Sequence, residues 1–206
     1  FLMINIMCFG DSNTFGYLPT IGRFGKNKRW PGVLQNLLGD NYNVIEEGLN
    51  GRATVFNTDE EPEKNGYNSL SYILPSKHPL DYVIIMLGTN DTKFYFNASM
   101  DEIVLGLEKI INYILKYPYR FQNIPPKIIL VSPILINEKT LFNDSFDISS
   151  ANKSKQFDSY FSKLAKKYDL LYLDAAKHAK PSDVDGVHLD EIGHKSLAEA
   201  IYKLIT

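Results

Sequence analysis

The sequence of 206 residues predicts an α/β protein: a three-layer α/β/α sandwich around a five-stranded parallel sheet. Two observations predict this fold. Short runs rich in Val, Ile, Leu and Tyr alternate with stretches of helical periodicity, which is the pattern of repeated βα units. The third and fourth runs are apolar at nearly every position, which is typical of strands that are covered on both faces.

The five predicted strands cover residues 4–9, 42–46, 81–87, 127–131 and 170–173. Apolar spacing predicts helices over residues 30–38, 69–74, 103–117, 151–168 and 191–204. No linker or internal repeat divides the chain, so residues 1–206 are expected to form a single domain. Two segments break the rhythm, 57–67 and 136–150, and loops of this length are often functional. We expect them either to shape a substrate pocket or to be plain surface or a subunit contact.

Composition excludes several classes of protein. With 24 acidic and 22 basic residues the net charge is −2, and no block of Lys or Arg offers the electrostatic footprint of a nucleic-acid binder or a membrane-surface helix. The expected partner is therefore a small or uncharged molecule. The single cysteine, Cys8, excludes a disulfide scaffold, and without a Cys/His ligand cluster we expect no structural zinc.

The sequence also bears on location. Its longest apolar stretch, 83–87, is far shorter than the roughly 20 residues that span a bilayer. The first residues are apolar but lack a basic leader and a small-residue cleavage site, so we expect no secretory signal and a cytoplasmic protein.

Polar residues follow the ends of three predicted strands. Ser12 lies in segment 9–16, Gly51 in segment 48–52 and Asn90 in segment 88–91. Ligands of open parallel sheets bind at the carboxyl ends of the strands, so these segments are expected to converge at one edge. A fourth polar segment, 183–188, reaches that edge only if the chain after the fifth strand folds back across it.

Ser12 is the candidate nucleophile. Gly10 allows a sharp turn off the first strand, which places the serine at or near a helix start, where unpaired N–H groups stabilise negative charge. The simpler alternative is that Ser12 only caps the helix. A serine hydroxyl needs a base at neutral pH, so the hypothesis requires a histidine and a carboxylate that orients it.

His188 is the candidate base among four histidines, because Asp185 lies three residues upstream with Gly186 between them. One compact turn can then hold Asp185 against the imidazole and leave Nε2 free for the Ser12 proton. Alternatively, Asp185 merely caps the turn, and Asp183 is a rival carboxylate. The other histidines are expected at the opposite sheet edge, on the surface, and in the last helix in a packing or surface role: His78, His178 and His194.

Acyl transfer also needs hydrogen-bond donors for the developing oxyanion. Gly51 can offer an approachable backbone N–H, and Asn90 a side-chain amide. A turn glycine and an Asx-turn asparagine are the simpler interpretations. The combination of serine, glycine, asparagine and Asp-x-x-His in this chain order favours the catalytic one.

These four segments resemble the signature blocks of the SGNH hydrolases, also called GDSL lipases/acylhydrolases: Gly10-Asp11-Ser12, Gly51 within 48–52, Gly88-Thr89-Asn90-Asp91 and Asp185-Gly186-Val187-His188. The resemblance extends over essentially the whole chain. It implies a flavodoxin-like sheet of order 2-1-3-4-5, a Ser12/His188/Asp185 triad, and an oxyanion hole made by the Ser12 N–H, the Gly51 N–H and the Asn90 side chain. The G-x-S-x-G elbow of α/β-hydrolases is missing around Ser12, which disfavours that fold.

Segments 48–54 and 86–93 look most like the bacterial arylesterase and acyltransferase branch, whose members are often oligomeric. The resemblance therefore implies a serine esterase that cleaves small acyl esters and needs no cofactor and no metal. A homo-oligomer is a further expectation. Three alternatives stay open: a carbohydrate O-deacetylase or an acyltransferase with the same residues, and a non-catalytic flavodoxin-like module that binds an anion.

Overall fold

Five parallel strands form the central sheet of the computed structural model, which describes residues 3–140 and 145–206. The strands are β1 Ile4–Gly10, β2 Tyr42–Gly48, β3 Tyr82–Met86, β4 Lys127–Ser132 and β5 Leu171–Asp174. They are hydrogen-bonded in the order β2-β1-β3-β4-β5, as expected from the resemblance. The order reverses at β1, so the carboxyl ends of β1, β2 and β3 lie side by side.

Helices cover both faces of this sheet. They are α1 Ser12–Phe15, α2 Trp30–Leu38, α3 Gly66–Lys77, α4 Met100–Lys116, α5 Ile148–Ser154, α6 Phe157–Lys167 and α7 Glu191–Ile205. A short antiparallel hairpin, Tyr17–Leu18 with Gly22–Arg23, follows α1 and was not predicted from the sequence. The structure confirms the α/β class and the predicted sheet.

Side chains of the sheet strands alternate between two cores. In β1, Met7 and Phe9 pack with residues of α3, α4 and α6, whereas Ile6 and Cys8 pack with residues of α2 and α7. Because successive residues of a strand point to opposite faces, an apolar side chain at nearly every position is what two covered faces require. The continuous apolar runs seen in the sequence have this cause.

One predicted helix is wrong in its extent. Residues 151–168 form two helices, α5 and α6, that are interrupted at Lys155 and Gln156. The Ser154 hydroxyl donates to the Ala151 carbonyl at 2.7 Å and accepts the Ile136 N–H at 3.0 Å. Such local side-chain bonds compete with helix continuation, and apolar periodicity does not reveal them.

The two irregular segments contain short regular elements. Segment 57–67 contains a 3₁₀ turn, Pro62–Lys64, and the start of α3. Segment 136–150 contains a 3₁₀ turn, Glu138–Thr140, and the start of α5, while its residues 141–144 lie outside the described part of the chain. Among the described helices, none has the length and apolar character needed to cross a membrane.

Candidate active site

Ser12 is the first residue of α1, directly beyond the end of β1. Asp11, not Ser12, caps this helix by accepting the Asn13 N–H, so the capping alternative for the serine is wrong. Gly10 is required by close packing, since a Cβ there would lie 2.1 Å from Thr14 Oγ1 and 2.9 Å from the Met86 carbonyl oxygen. Glycine at this position lets the chain turn closely from β1 into α1, which places Ser12 at the carboxyl edge of the sheet.

The segment after β5 does fold back to that edge. His188 Nε2 lies 2.8 Å from Ser12 Oγ, and His188 Nδ1 lies 2.6 Å from Asp185 Oδ2. A carboxylate can only accept, so Nδ1 carries the proton that it donates to Asp185, and Nε2 accepts the Ser12 hydroxyl proton. The three side chains thus form one continuous line of hydrogen bonds.

Asp185 also organises its own turn. Its Oδ1 accepts the backbone N–H groups of Val187 and His188, both at 3.0 Å, so it caps the turn and orients the imidazole at once. Burial opposes ionisation of Asp185, but the hydrogen bonds from the His188 ring and from these two N–H groups outweigh it and lower the pKa of Asp185 to about 2. The rival Asp183 is exposed and makes no hydrogen bond to His188 in the described chain.

Asn13, on α1, holds the backbone on both sides of His188 through hydrogen bonds. Its Nδ2 donates to the Val187 carbonyl at 3.2 Å, and its Oδ1 accepts the Leu189 N–H at 2.8 Å. The residues on either side of His188 are therefore held by the residue that follows Ser12. Sequence reasoning did not identify this role, because a single asparagine after the serine carries no signal about its distant partner.

Three residues that can donate hydrogen bonds line the pocket at Ser12: Ser12 itself, Gly51 and Asn90. The Ser12 N–H has no partner within α1 because it belongs to the first turn. Gly51 has φ +80°, and its N–H makes no hydrogen bond within residues 3–140 and 145–206. Asn90 donates one amide N–H to the Arg52 carbonyl at 3.1 Å, which leaves its second N–H available. The geometry brings together every residue predicted for an oxyanion hole.

A buried carboxylate ties the two loops that carry Gly51 and Asn90. Asp91 accepts the Thr54 hydroxyl at 2.5 Å and the Thr54 N–H at 3.0 and 3.2 Å, and both residues are fully buried. Burial raises the pKa of Asp91 to about 6, against the opposing effect of these bonds. The Asp91–Thr54 tie fixes the loop after β2 against the loop after β3.

The remaining histidines lie where the sequence suggested. His78 lies before β3, at the amino end of the sheet, and His178 is exposed. His194 is buried in α7, where Nδ1 accepts the Trp30 N–H at 3.2 Å. Burial, with smaller effects from the nearby cations, lowers the pKa of His194 to about 3, so it packs as a neutral ring.

A pocket of 260 Å³ opens onto Ser12 and His188. Tyr17 flanks it, with its ring centroid 4.7 Å from that of His188. Both irregular segments contribute to its lining, through Lys64 from the first and Phe146 from the second. This arrangement favours the expectation that the two segments shape a substrate pocket.

Comparison with known proteins agrees with this geometry. A model of the GDSL-like lipase/acylhydrolase family matches residues 8–195. A carbohydrate acetylesterase family member from Sinorhizobium meliloti has a TM-score of 0.92 and 31% identity, covering 98% of this chain and 97% of that chain. The aryl esterase of M. smegmatis has a TM-score of 0.91 and 34% identity, covering 98% of each chain. No curated protein matches the sequence.

The fold, the family model and these neighbours define a carboxylic ester hydrolase. The chain belongs to the GDSL-like lipase/acylhydrolase family, that is, to the SGNH hydrolases. This membership confirms the resemblance seen in the sequence and decides for an enzyme over a non-catalytic anion-binding module.

Proposed function

We propose that this protein is a serine esterase that cleaves small acyl esters through a Ser12–His188–Asp185 triad and an acyl-enzyme intermediate. The observation that carries the proposal is the unbroken line of hydrogen bonds from Ser12 Oγ through the imidazole to the Asp185 carboxylate. The pocket of 260 Å³ beside it suits a small ester.

In the first half-reaction, Ser12 Oγ attacks the ester carbonyl carbon while its proton passes to His188 Nε2. The carbonyl oxygen becomes an oxyanion that accepts hydrogen bonds from the Ser12 N–H, the Gly51 N–H and the Asn90 amide. Collapse of this intermediate breaks the bond to the alcohol, which takes the proton from Nε2. Water then repeats the sequence on the acyl-serine and releases the carboxylic acid.

The test is covalent labelling with a fluorophosphonate combined with hydrolysis of p-nitrophenyl acetate. We expect one adduct per chain, found by mass spectrometry on the peptide that contains Ser12, and loss of hydrolysis in step with labelling. A protein that resists the reagent and leaves the ester intact contradicts the proposal.

A carbohydrate O-deacetylase that uses the same residues is the second candidate. It is favoured by the similarity to a carbohydrate acetylesterase family member and by two exposed aromatic rings, Phe94 and Tyr95, just beyond the Asn90–Thr92 turn. Exposed aromatic faces can stack on sugar rings. Release of acetate from acetylated xylan or chitooligosaccharide, at rates above those for p-nitrophenyl acetate, would select this candidate.

Replacing Asn90 with alanine is expected to lower kcat about 10²- to 10³-fold with little change in KM, because the amide N–H is used most in the transition state. Steady-state kinetics on p-nitrophenyl acetate measure both constants. Thermal unfolding of the variant controls for loss of its bond to the Arg52 carbonyl. A KM that rises while kcat is kept would show that Asn90 acts in ground-state binding instead.

Replacing Thr54 with valine is expected to lower kcat about tenfold. The change removes the hydroxyl that donates a hydrogen bond to Asp91, so the loop that carries Gly51 is held less firmly to the loop that carries Asn90. Serine at the same position keeps the hydroxyl and should restore most of the activity. The kinetics of both variants are measured beside their thermal unfolding. Equal activity of the valine and serine variants would show that the hydrogen bond between the Thr54 hydroxyl and Asp91 does not support the oxyanion hole.

A further inference from the structure

Two lysines line the pocket around Ser12. Lys64 ends the turn Pro62–Lys64, and Lys93 directly follows the turn Asn90–Thr92. No Asp or Glu is found among the pocket-lining residues of the described chain. The charged side chains among the lining residues that the structure describes are therefore both cationic.

The charge of Lys64 is already compensated. Its ammonium is bonded to Glu61, and its stem covers Gly51 so closely that a Cβ there would lie 2.9 Å from Lys64 Cδ and Cε. Lys64 therefore lines the pocket beside Gly51 as part of an ion pair. An anionic group on the substrate would gain little electrostatic stabilisation from Lys64, because Glu61 already neutralises its charge.

Lys93 is in a different situation. Within residues 3–140 and 145–206 it has no carboxylate at ion-pair distance. Its Nζ lies 5.8 Å from the ring centroids of both Tyr95 and Phe146. Lys93 is half-buried, and its ammonium lies close to Phe146, which lines the pocket with it. A cation in this position attracts an anion more strongly than one that is fully exposed.

We propose that Lys93 makes the pocket selective for esters that carry an anionic group, such as a carboxylate, near the reacting carbonyl. This inference rests on the proposed esterase function and narrows its substrate class. The anionic group can belong to the alcohol or to the acyl part of the ester, and the experiment tests both. The low net charge of the chain does not reveal such a preference, because the preference depends on one ammonium that has no ion-pair partner among the described residues.

The experiment compares matched pairs of esters that differ in one charge. For the alcohol part, the pair is 4-acetoxybenzoate and 4-acetoxybenzamide. For the acyl part, the pair is the 4-nitrophenyl esters of 4-carboxybenzoic and 4-carbamoylbenzoic acid. The readout is the ratio of kcat/KM for the anionic ester to that for the neutral ester, in wild type, Lys93→Gln and Lys93→Glu. Intrinsic reactivity of the esters cancels when the same ratio is compared between variants.

In at least one pair, Lys93→Gln should lower the ratio about three- to tenfold and Lys93→Glu should lower it further. The wild-type preference should shrink in 1 M NaCl, where the screening length is about 3 Å. Lys203→Gln, which removes an exposed charge near the end of α7, is the matched control and should keep the wild-type ratio. The pair that responds shows which part of the ester carries the anion.

If the neutral esters are cleaved but neither Lys93 variant changes the ratio in either pair, the inference is wrong. Absence of turnover for all four esters, together with absence of fluorophosphonate labelling, contradicts the proposed function instead.

Discussion

Replacing Ser12 with alanine is expected to reduce kcat about 10⁶-fold and to abolish fluorophosphonate labelling. The variant keeps the oxyanion donors but has no nucleophile, and loss of the nucleophile alone costs about as much as loss of the whole triad. Among the described residues the Ser12 hydroxyl has one side-chain hydrogen bond, to His188, so its removal should leave the fold intact. Hydrolysis of p-nitrophenyl acetate and thermal unfolding are the measurements.

The matched control is Ser71→Ala, which removes an exposed hydroxyl on α3 whose hydrogen bond stays within that helix. It should retain wild-type activity and labelling. A Ser12→Ala protein that is folded and still hydrolyses the ester at a rate near that of wild type would show that another group performs the attack.

Replacing Asp185 with asparagine is expected to lower kcat about 10⁴-fold. An asparagine amide can donate to Nδ1, which favours the tautomer that carries its proton on Nε2 and cannot accept the Ser12 proton. Asp183→Asn is the matched control, because this exposed carboxylate lies two residues away and should be dispensable. Comparable losses in both variants would mean that the turn's overall charge, rather than the orientation of His188, supports activity.

The same carboxylate has a predicted titration. Its pKa is lowered from 3.8 to about 2, so its contribution to stability is complete above about pH 4 and is lost as the pH falls towards 2. A ¹³C NMR titration of the Asp185 carboxyl should give a midpoint well below 3.8, and a midpoint near 3.8 would show that the bonds from His188 and Val187 are not made. Asp185 therefore stays ionised throughout the usual range of ester assays.

Sequence reasoning located the strands because a strand with two covered faces must be apolar at nearly every position, and this is a local property. It also located Ser12, His188 and Asp185, because each lies beside a local feature: a glycine at a strand end or a carboxylate three residues away. The structure brings these three side chains into contact as expected. Their catalytic roles remain predictions.

Other features depend on partners that are far apart in sequence. Asn13 pairs with the backbone around His188, and Thr54 pairs with Asp91, through contacts that no periodicity encodes. The interruption between α5 and α6 likewise depends on a hydroxyl that bonds to a loop 18 residues away. The special position of Lys93 likewise could not be predicted, because the sequence does not show which lysines have an ion-pair partner, and Lys93 has none in the described chain.

The two hydrogen bonds from Asn13 to the backbone around His188 have a consequence for the order in which the molecule is completed. They join positions 174 and 176 residues apart, so Ser12 is synthesised long before His188. A nascent chain that has left the ribosome only as far as β5 contains Ser12 but not yet His188, the group that accepts its hydrogen bond in the folded structure. Formation of the catalytic edge therefore waits until the segment after β5 has been synthesised.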